Sequence, residues 1–261
     1  MVEIPRRNVF FSQRDFQHAW NLGSKPLGLI RGLRSRHQLV QKSLSDAAHF
    51  LGGALLSEGF ALFHNGGLPL LERRSGKLIE EILLHPNPNS RDDRYVPIRI
   101  GLHLSHAGLQ TTRMRYWNPP SRAPSSIASI DLGALEMPPR WVIWNLGLDH
   151  ETLIDLVDSV QALALPWFKV FENERELYRR LFRLEISHVG LDTALELVIA
   201  EFGEYEGARF LSECILSDPK LGSRVREQSL RILRAQRSGG VGHDQVTNLA
   251  TIAACFGLLG K

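Results

Sequence analysis

The chain has 261 residues, of which 43% are hydrophobic, 23% charged and 8% aromatic. That supply of apolar side chains is too rich for a disordered chain, and at this length it can fill one large domain or two joined ones. The formal charge is only +3, and neither an apolar leader nor an apolar run of about 18 residues occurs, so the sequence predicts a cytoplasmic protein with no membrane partner.

The charge is unevenly spread. Residues 1–42 hold eight Lys and Arg against Glu3 and Asp15, a local excess of six positive charges, and the rest of the chain is net negative. Such an arm can be a footprint for phosphates or an acidic partner, or simply a solvated segment. Its interspersed Phe10, Phe11, Phe16 and Trp20 argue that it packs down. Only two cysteines occur, Cys214 and Cys255, both among apolar neighbours, which predicts buried inert thiols and no disulfide framework.

In chain order, the first clear element is a helix over 43–59. Leu44, Ala48, Leu51 and Leu55 line one helical face, and Gly59 is placed to end it in the left-handed conformation. Phe60–Phe63 then reads as a short strand and Asn65-Gly66-Gly67 as a turn. From Leu68 to Trp117 the period becomes two, with runs at Leu68–Arg73, Lys77–Leu84, Tyr95–Ser105 and Leu109–Trp117, an antiparallel meander. In the third run Val96, Ile98, Ile100, Leu102 and Leu104 face a core, while Pro97, Arg99, Gly101 and His103 point the other way. Pro97 places this strand at a sheet edge, or else lies near the strand's beginning.

The segments 87–94 and 118–126 carry turn residues and charges and are expected to be exposed loops. Trp141–Leu146 reads as one more strand. Asp149 then caps a helix whose apolar side, Leu153, Ile154, Leu156, Val157, Val160 and Ala164, runs until Pro166 stops it. A further helix spans Asn173 to Phe182. The remainder is helical at Leu191–Phe202, Tyr205–Leu216, Gly222–Gln236 and Val246–Leu258, with a flexible joint at 238–242. The fold class is therefore α+β: a basic N-terminal segment (1–36), a helix plus antiparallel meander sheet (37–148) and an all-helical C-terminal region (149–261).

The pair Leu191–Phe202 and Tyr205–Leu216, joined through Gly203 and containing Gly207, resembles a tetratricopeptide hairpin. One such hairpin cannot build a solenoid and must dock on the rest. The order Glu58-Gly59-Phe60, meander, then Leu165-Pro166-Trp167-Phe168 leading to the helix at Asn173 resembles the family catalogued as domain of unknown function 4304, over residues 38–182. The resemblance implies a fold and a bacterial origin. It carries no catalytic residue.

Chemistry is sparsely signposted. No His-Glu-x-x-His, Cys-x-x-Cys or phosphate loop occurs, so no metal or cofactor is expected. A Ser-His-Asp set would meet only in space, and no Gly-x-Ser-x-Gly elbow announces one. Two constellations suit binding. Arg99 and His103 on one strand are expected to stand beside Arg113, Arg115 and Trp117 on the next, a guanidinium row next to an indole. Arg224, Arg231 and Arg234 fall on one side of the 220–237 helix. The expectation is a non-enzymatic binding protein, an immunity or regulatory protein that acts on a protein partner. A nucleic-acid partner and an enzyme site assembled in space stay open.

Overall fold

A computed structural model describes residues 31–65, 68–87, 94–117, 125–147, 150–183, 186, 189–235 and 244–259. Residues 1–30 of the basic segment, the glycines 66–67, residues 88–93 and 118–124 of the two expected loops, Asp149 and the joint at 238–242 lie outside the described residues, and the second expected loop gives way to a strand at Ser126. Residues from Leu39 onward form one compact unit.

Helix α1 (Arg31–Ala54) buries the predicted stripe, with Leu44, Ala48, Leu51 and Leu55 all sealed in the core. A short 3-10 turn (Leu56–Glu58) then ends at Gly59, whose φ of 86° is open to glycine and strained for a side chain. The sheet comes next: β1 (Ala61–Asn65), β2 (Leu68–Ser75), β3 (Leu78–Pro86) and β4 (Val96–His106), each antiparallel to the one before. The fold is α+β, as the changing periods indicate.

Strand β4 is the middle of the sheet. Its first half pairs with β6 (Trp144–Leu146) and its second half with β5 (Ser126–Asp131), in addition to β3 along its length. The edge position expected from Pro97 is therefore corrected, and the alternative holds: Pro97 is the strand's second residue. The predicted core face of β4 is fully buried at Ile98, Ile100, Leu102 and Leu104. β5 has no counterpart among the expected strands, and the strand expected at Trp141–Leu146 shrinks to its last three residues.

The run Leu109–Trp117, expected to be a strand, is helix α2 (Ala107–Met114). The switch occurs at His106, whose Nδ1 accepts from the Leu109 N–H at 3.1 Å and caps the new helix. Gly108 leaves room for that imidazole, since a Cβ there would lie 2.9 Å from its Cε1.

Pro166 does not stop its helix. α3 (Glu151–Ser159) passes through a π-helical turn (Val160–Ala164) into α4 (Leu165–Glu172), with the Leu165 N–H bonded to Val160 O, five residues back. Proline lacks an N–H and crowds the carbonyl four residues before it. The wider turn carries the rod past the point where an α-pattern would fail. Asn173 caps α5 (Glu174–Phe182) through its side chain.

The C-terminal region is α6 (Leu191–Phe202), α7 (Glu204–Ser217), α8 (Pro219–Ala235) and α9 (Gln245–Phe256). The helical hairpin α6–α7 closes tightly at Gly207, where a Cβ would stand 2.5 Å from Cγ1 of Ile199. Sheet and helices share one hydrophobic core. Of the two thiols, Cys214 is buried as expected, and burial pushes its pKa up to about 11. Cys255 is exposed, which corrects that reading.

Gly207→Ala is expected to lose about 1–3 kcal/mol of stability through overpacking. In urea unfolding, the double variant Ile199→Ala/Gly207→Ala should lose less than the sum of the two single losses, because truncation of Ile199 clears the space that the added methyl group needs.

Candidate functional site

Alternation along the strands divides the sheet into a core face and an outer face, and the outer face carries Glu81, His85, Arg99, His103 and Asp131. Register brings Glu81 directly opposite His103, and His103 opposite Ser129. One step along the same face, Gly101 lies between Leu83 and Asp131, and beyond it His85 lies opposite Arg99. The His85 ring lies over Gly101, where a Cβ would be 2.7 Å from Nε2. Burial, with the Arg99 charge second, pulls the His85 pKa from 6.5 down to about 4.

His103 is held from both ends of its ring. Nδ1 lies 2.5 Å from Glu81 Oε2, and Nε2 lies 3.1 Å from Ser126 Oγ. A carboxylate only accepts, so Nδ1 carries a proton and donates, and in the neutral ring Nε2 is the acceptor for the Ser126 hydroxyl. His106, on the core side, takes the opposite tautomer. Its Nδ1 accepts from the helix cap, so Nε2 donates to Glu201 of α6, which also receives Lys77 Nζ at 3.1 Å. Burial keeps His106 neutral by lowering its pKa, against the pull of Glu201.

The predicted row of basic and aromatic residues is partly assembled. Arg99 and His103 share the outer face as expected. Arg113, Arg115 and Trp117 do not join them, because their segment is helical and turns them toward α6, α7 and α9. Arg113 is buried: Nε and Nη2 reach Glu196 Oε2 at 3.0 and 2.7 Å, and Nη1 donates to Ser126 O at 2.7 Å. Arg115 pairs with Glu204 at 2.6 Å and sits 3.9 Å over the Phe256 ring. Trp117 packs against the core. These side chains dock the hairpin rather than offer a binding row.

The indole beside Arg99 is instead that of Trp141. The guanidinium lies 4.9 Å from that ring centre and 3.9 Å from Asp131 Oδ2. Trp141 belongs to a loop that exposes Met137 (94%), Trp141 (60%) and Ile143 (46%). Helix α3 lies against β6, which follows this loop. Trp144, the next core residue, donates its indole N–H to Asp155 at 2.8 Å, and the Asp155 charge also acts on Arg140. Ile154, the neighbour of Asp155, is 45% exposed and so leaves the buried side predicted for it. The loop is braced: Arg140 N–H and Glu136 N–H both reach Gly133 O, at 3.0 and 3.3 Å, and Arg140 pairs with Glu136. Gly133 is obligatory, because a Cβ there would fall 2.2 Å from Arg140 O.

On α8, Arg224, Arg231 and Arg234 lie on an exposed side as predicted, with half-exposed Leu230 and Leu233 between them. Arg231 is paired with Glu227 at 2.6 Å. Among the described residues no group of His, Cys, Asp or Glu is placed to hold a metal ion, and no helix is long and apolar enough to cross a membrane. Comparison with family models, with curated proteins and with solved structures finds no match to the chain.

Glu81, Ser126 and the Met137–Ile143 loop do not stand out in the sequence. For Glu81 a signal exists, since it occupies the polar phase of the alternating run Leu78–Pro86. For Trp141 the two preceding prolines read as a strand boundary and say nothing of an exposed aromatic.

Arg113→Met leaves Glu196 buried without its cation and should cost about 3–5 kcal/mol in urea unfolding at neutral pH. As pH falls below the ordinary histidine pKa, the unfolded chain takes up protons that His85 refuses until about pH 4, and His106 likewise below its ordinary range. Stability contributed by these neutral rings is complete above about pH 6.5 and is lost as pH falls. His85→Gln should make the decline between about pH 6.5 and 4 shallower, measured by urea unfolding across that range.

Proposed function

We propose that the protein is a binding protein that captures a protein partner through the loop Met137–Ile143 and the adjoining side of α3. The observation that carries this reading is the set of four exposed apolar side chains, Met137, Trp141, Ile143 and Ile154, on braced backbone. Large apolar side chains gathered in one exposed area mark interaction surfaces more often than they serve stability. Tryptophan beside arginine is the composition from which binding energy is most often concentrated. Bracing by Gly133 and by the Glu136–Arg140 pair lowers the ordering entropy that association would otherwise cost.

On the α3 side the rim gives the partner's chemistry. Glu151, Asp155 and Asp158 are exposed on α3 beside Ile154. The complement is an apolar anchor flanked by Lys or Arg, as in a basic amphipathic segment. An immunity or regulatory protein working by contact would use such a surface. The nucleic-acid reading has less support, because Arg113 and Arg115 are engaged within the fold and Arg99 stacks on Trp141.

The test is affinity capture with the full chain, followed by titration of the recovered protein. Trp141→Ala should weaken binding by about 30-fold or more with an unchanged circular dichroism spectrum. Arg231→Ala should leave it unaltered. Equal binding by the Trp141→Ala variant, or binding only to DNA or RNA with a steep salt dependence, overturns the reading.

A further inference from the structure

The contact between His103, Glu81 and Ser126 has the order and hand-off of a nucleophile, a base and an orienting carboxylate. We propose that Ser126 is an activated nucleophile, with His103 as its general base and Glu81 as the positioning residue, able to hydrolyse an aryl carboxylic ester. This site is independent of the Trp141 surface.

Three observations carry the inference. The geometry orders the ring: Glu81 holds a proton on Nδ1, so in the neutral imidazole the lone pair of Nε2 points at the Ser126 hydroxyl, 3.1 Å away. The placement of the serine depends on an irregularity in the sheet. Leu104 pairs with Ala128 but Ser105 pairs with Ser126, so β5 carries one extra residue, the buried Ile127. In a regular ladder Ser126 would face the core. The bulge turns it to the side of His103, a recurrent use of bulges beside functional sites. Finally, the backbone around the hydroxyl is anchored, with Ser126 O held by Arg113 at 2.7 Å and Ser125 O by the His106 N–H at 2.9 Å. Glu81 and His103 remain 20% and 23% exposed at the side chain, so the group is reachable from solvent while partly shielded from it.

The chemistry balances with water as the only co-reactant. Ser126 Oγ attacks the acyl carbon as its proton passes to His103 Nε2. The C–O bond to the leaving alcohol breaks, and that alcohol takes the proton from His103. Water then attacks the acyl-serine while His103 accepts its proton, the free acid departs, and Ser126 recovers the hydrogen. An aryl ester is the fitting substrate class, because a leaving group of low pKa departs with little help from an acid or from bound donors.

The full-length protein is incubated with a fluorophosphonate probe and with p-nitrophenyl acetate, and labelled peptides are mapped by mass spectrometry. The expected result is an adduct on Ser126 that is absent from Ser126→Ala, with an initial burst of p-nitrophenol. His103→Gln should slow labelling about 100-fold or more. Glu81→Gln should slow it less and displace the midpoint of the rate against pH, which a purely structural contact would not do. Circular dichroism confirms that each variant is folded. No adduct on Ser126, or an adduct whose rate is indifferent to His103→Gln in the folded variant, overturns the proposal.

Discussion

The buried pair of Arg113 and Glu196 holds the sheet and the C-terminal helices in register. Its guanidinium comes from the helix that follows the central strand, its carboxylate from the first helix of the C-terminal hairpin, and the third guanidinium nitrogen, Nη1, donates to the backbone of β5 at Ser126. Burial pushes the Glu196 carboxyl up, and the arginine opposes that shift. An ion pair in such a place adds little net stability compared with an apolar equivalent, but it tolerates no substitute geometry. Loss of either partner strands a buried charge where the sheet meets the C-terminal helices.

A second polar cluster does similar work at the other end of the sheet. Arg73 bridges the fully buried Glu80, the Glu58 carbonyl and Glu172 of α4, and lies 4.8 Å over the Phe60 ring. Burial raises the pKa of Glu80 despite the arginine. With both ends of the core face fixed by polar contacts, the outer face is left to other uses. Its two distinctive features are the braced tryptophan loop, which Arg99 touches, and the Glu81–His103–Ser126 contact, and Arg99 and His103 stand on one side of β4.

Much of this architecture is legible from residue spacing. The stripe Leu44, Ala48, Leu51, Leu55, the alternation from Val96 to Leu104 and the glycines at 59, 203 and 207 each report a local constraint, and the folded chain respects them. Where the spacing misleads, a distant partner decides. Leu109–Trp117 carries a period of two that suits a strand, yet the His106 cap and the pull of Glu196 on Arg113 make it helical. Pro166 looks like a terminus until the π-turn before it removes the clash. Ile154 fits an apolar helix side by period, but β6, against which α3 packs, does not reach over it.

Amino-acid order alone specifies the α+β class, the meander, the helical hairpin and the buried stripe, because hydrophobic period and glycine conformation are properties of a few neighbouring residues. Which side chains meet is a matter of long-range packing. Ser126 faces His103 because one extra residue in β5 reverses its side, and Trp141 joins Arg99 because a loop folds back over Gly133. Strand register and loop packing depend on partners far away in the chain, so no local pattern encodes them.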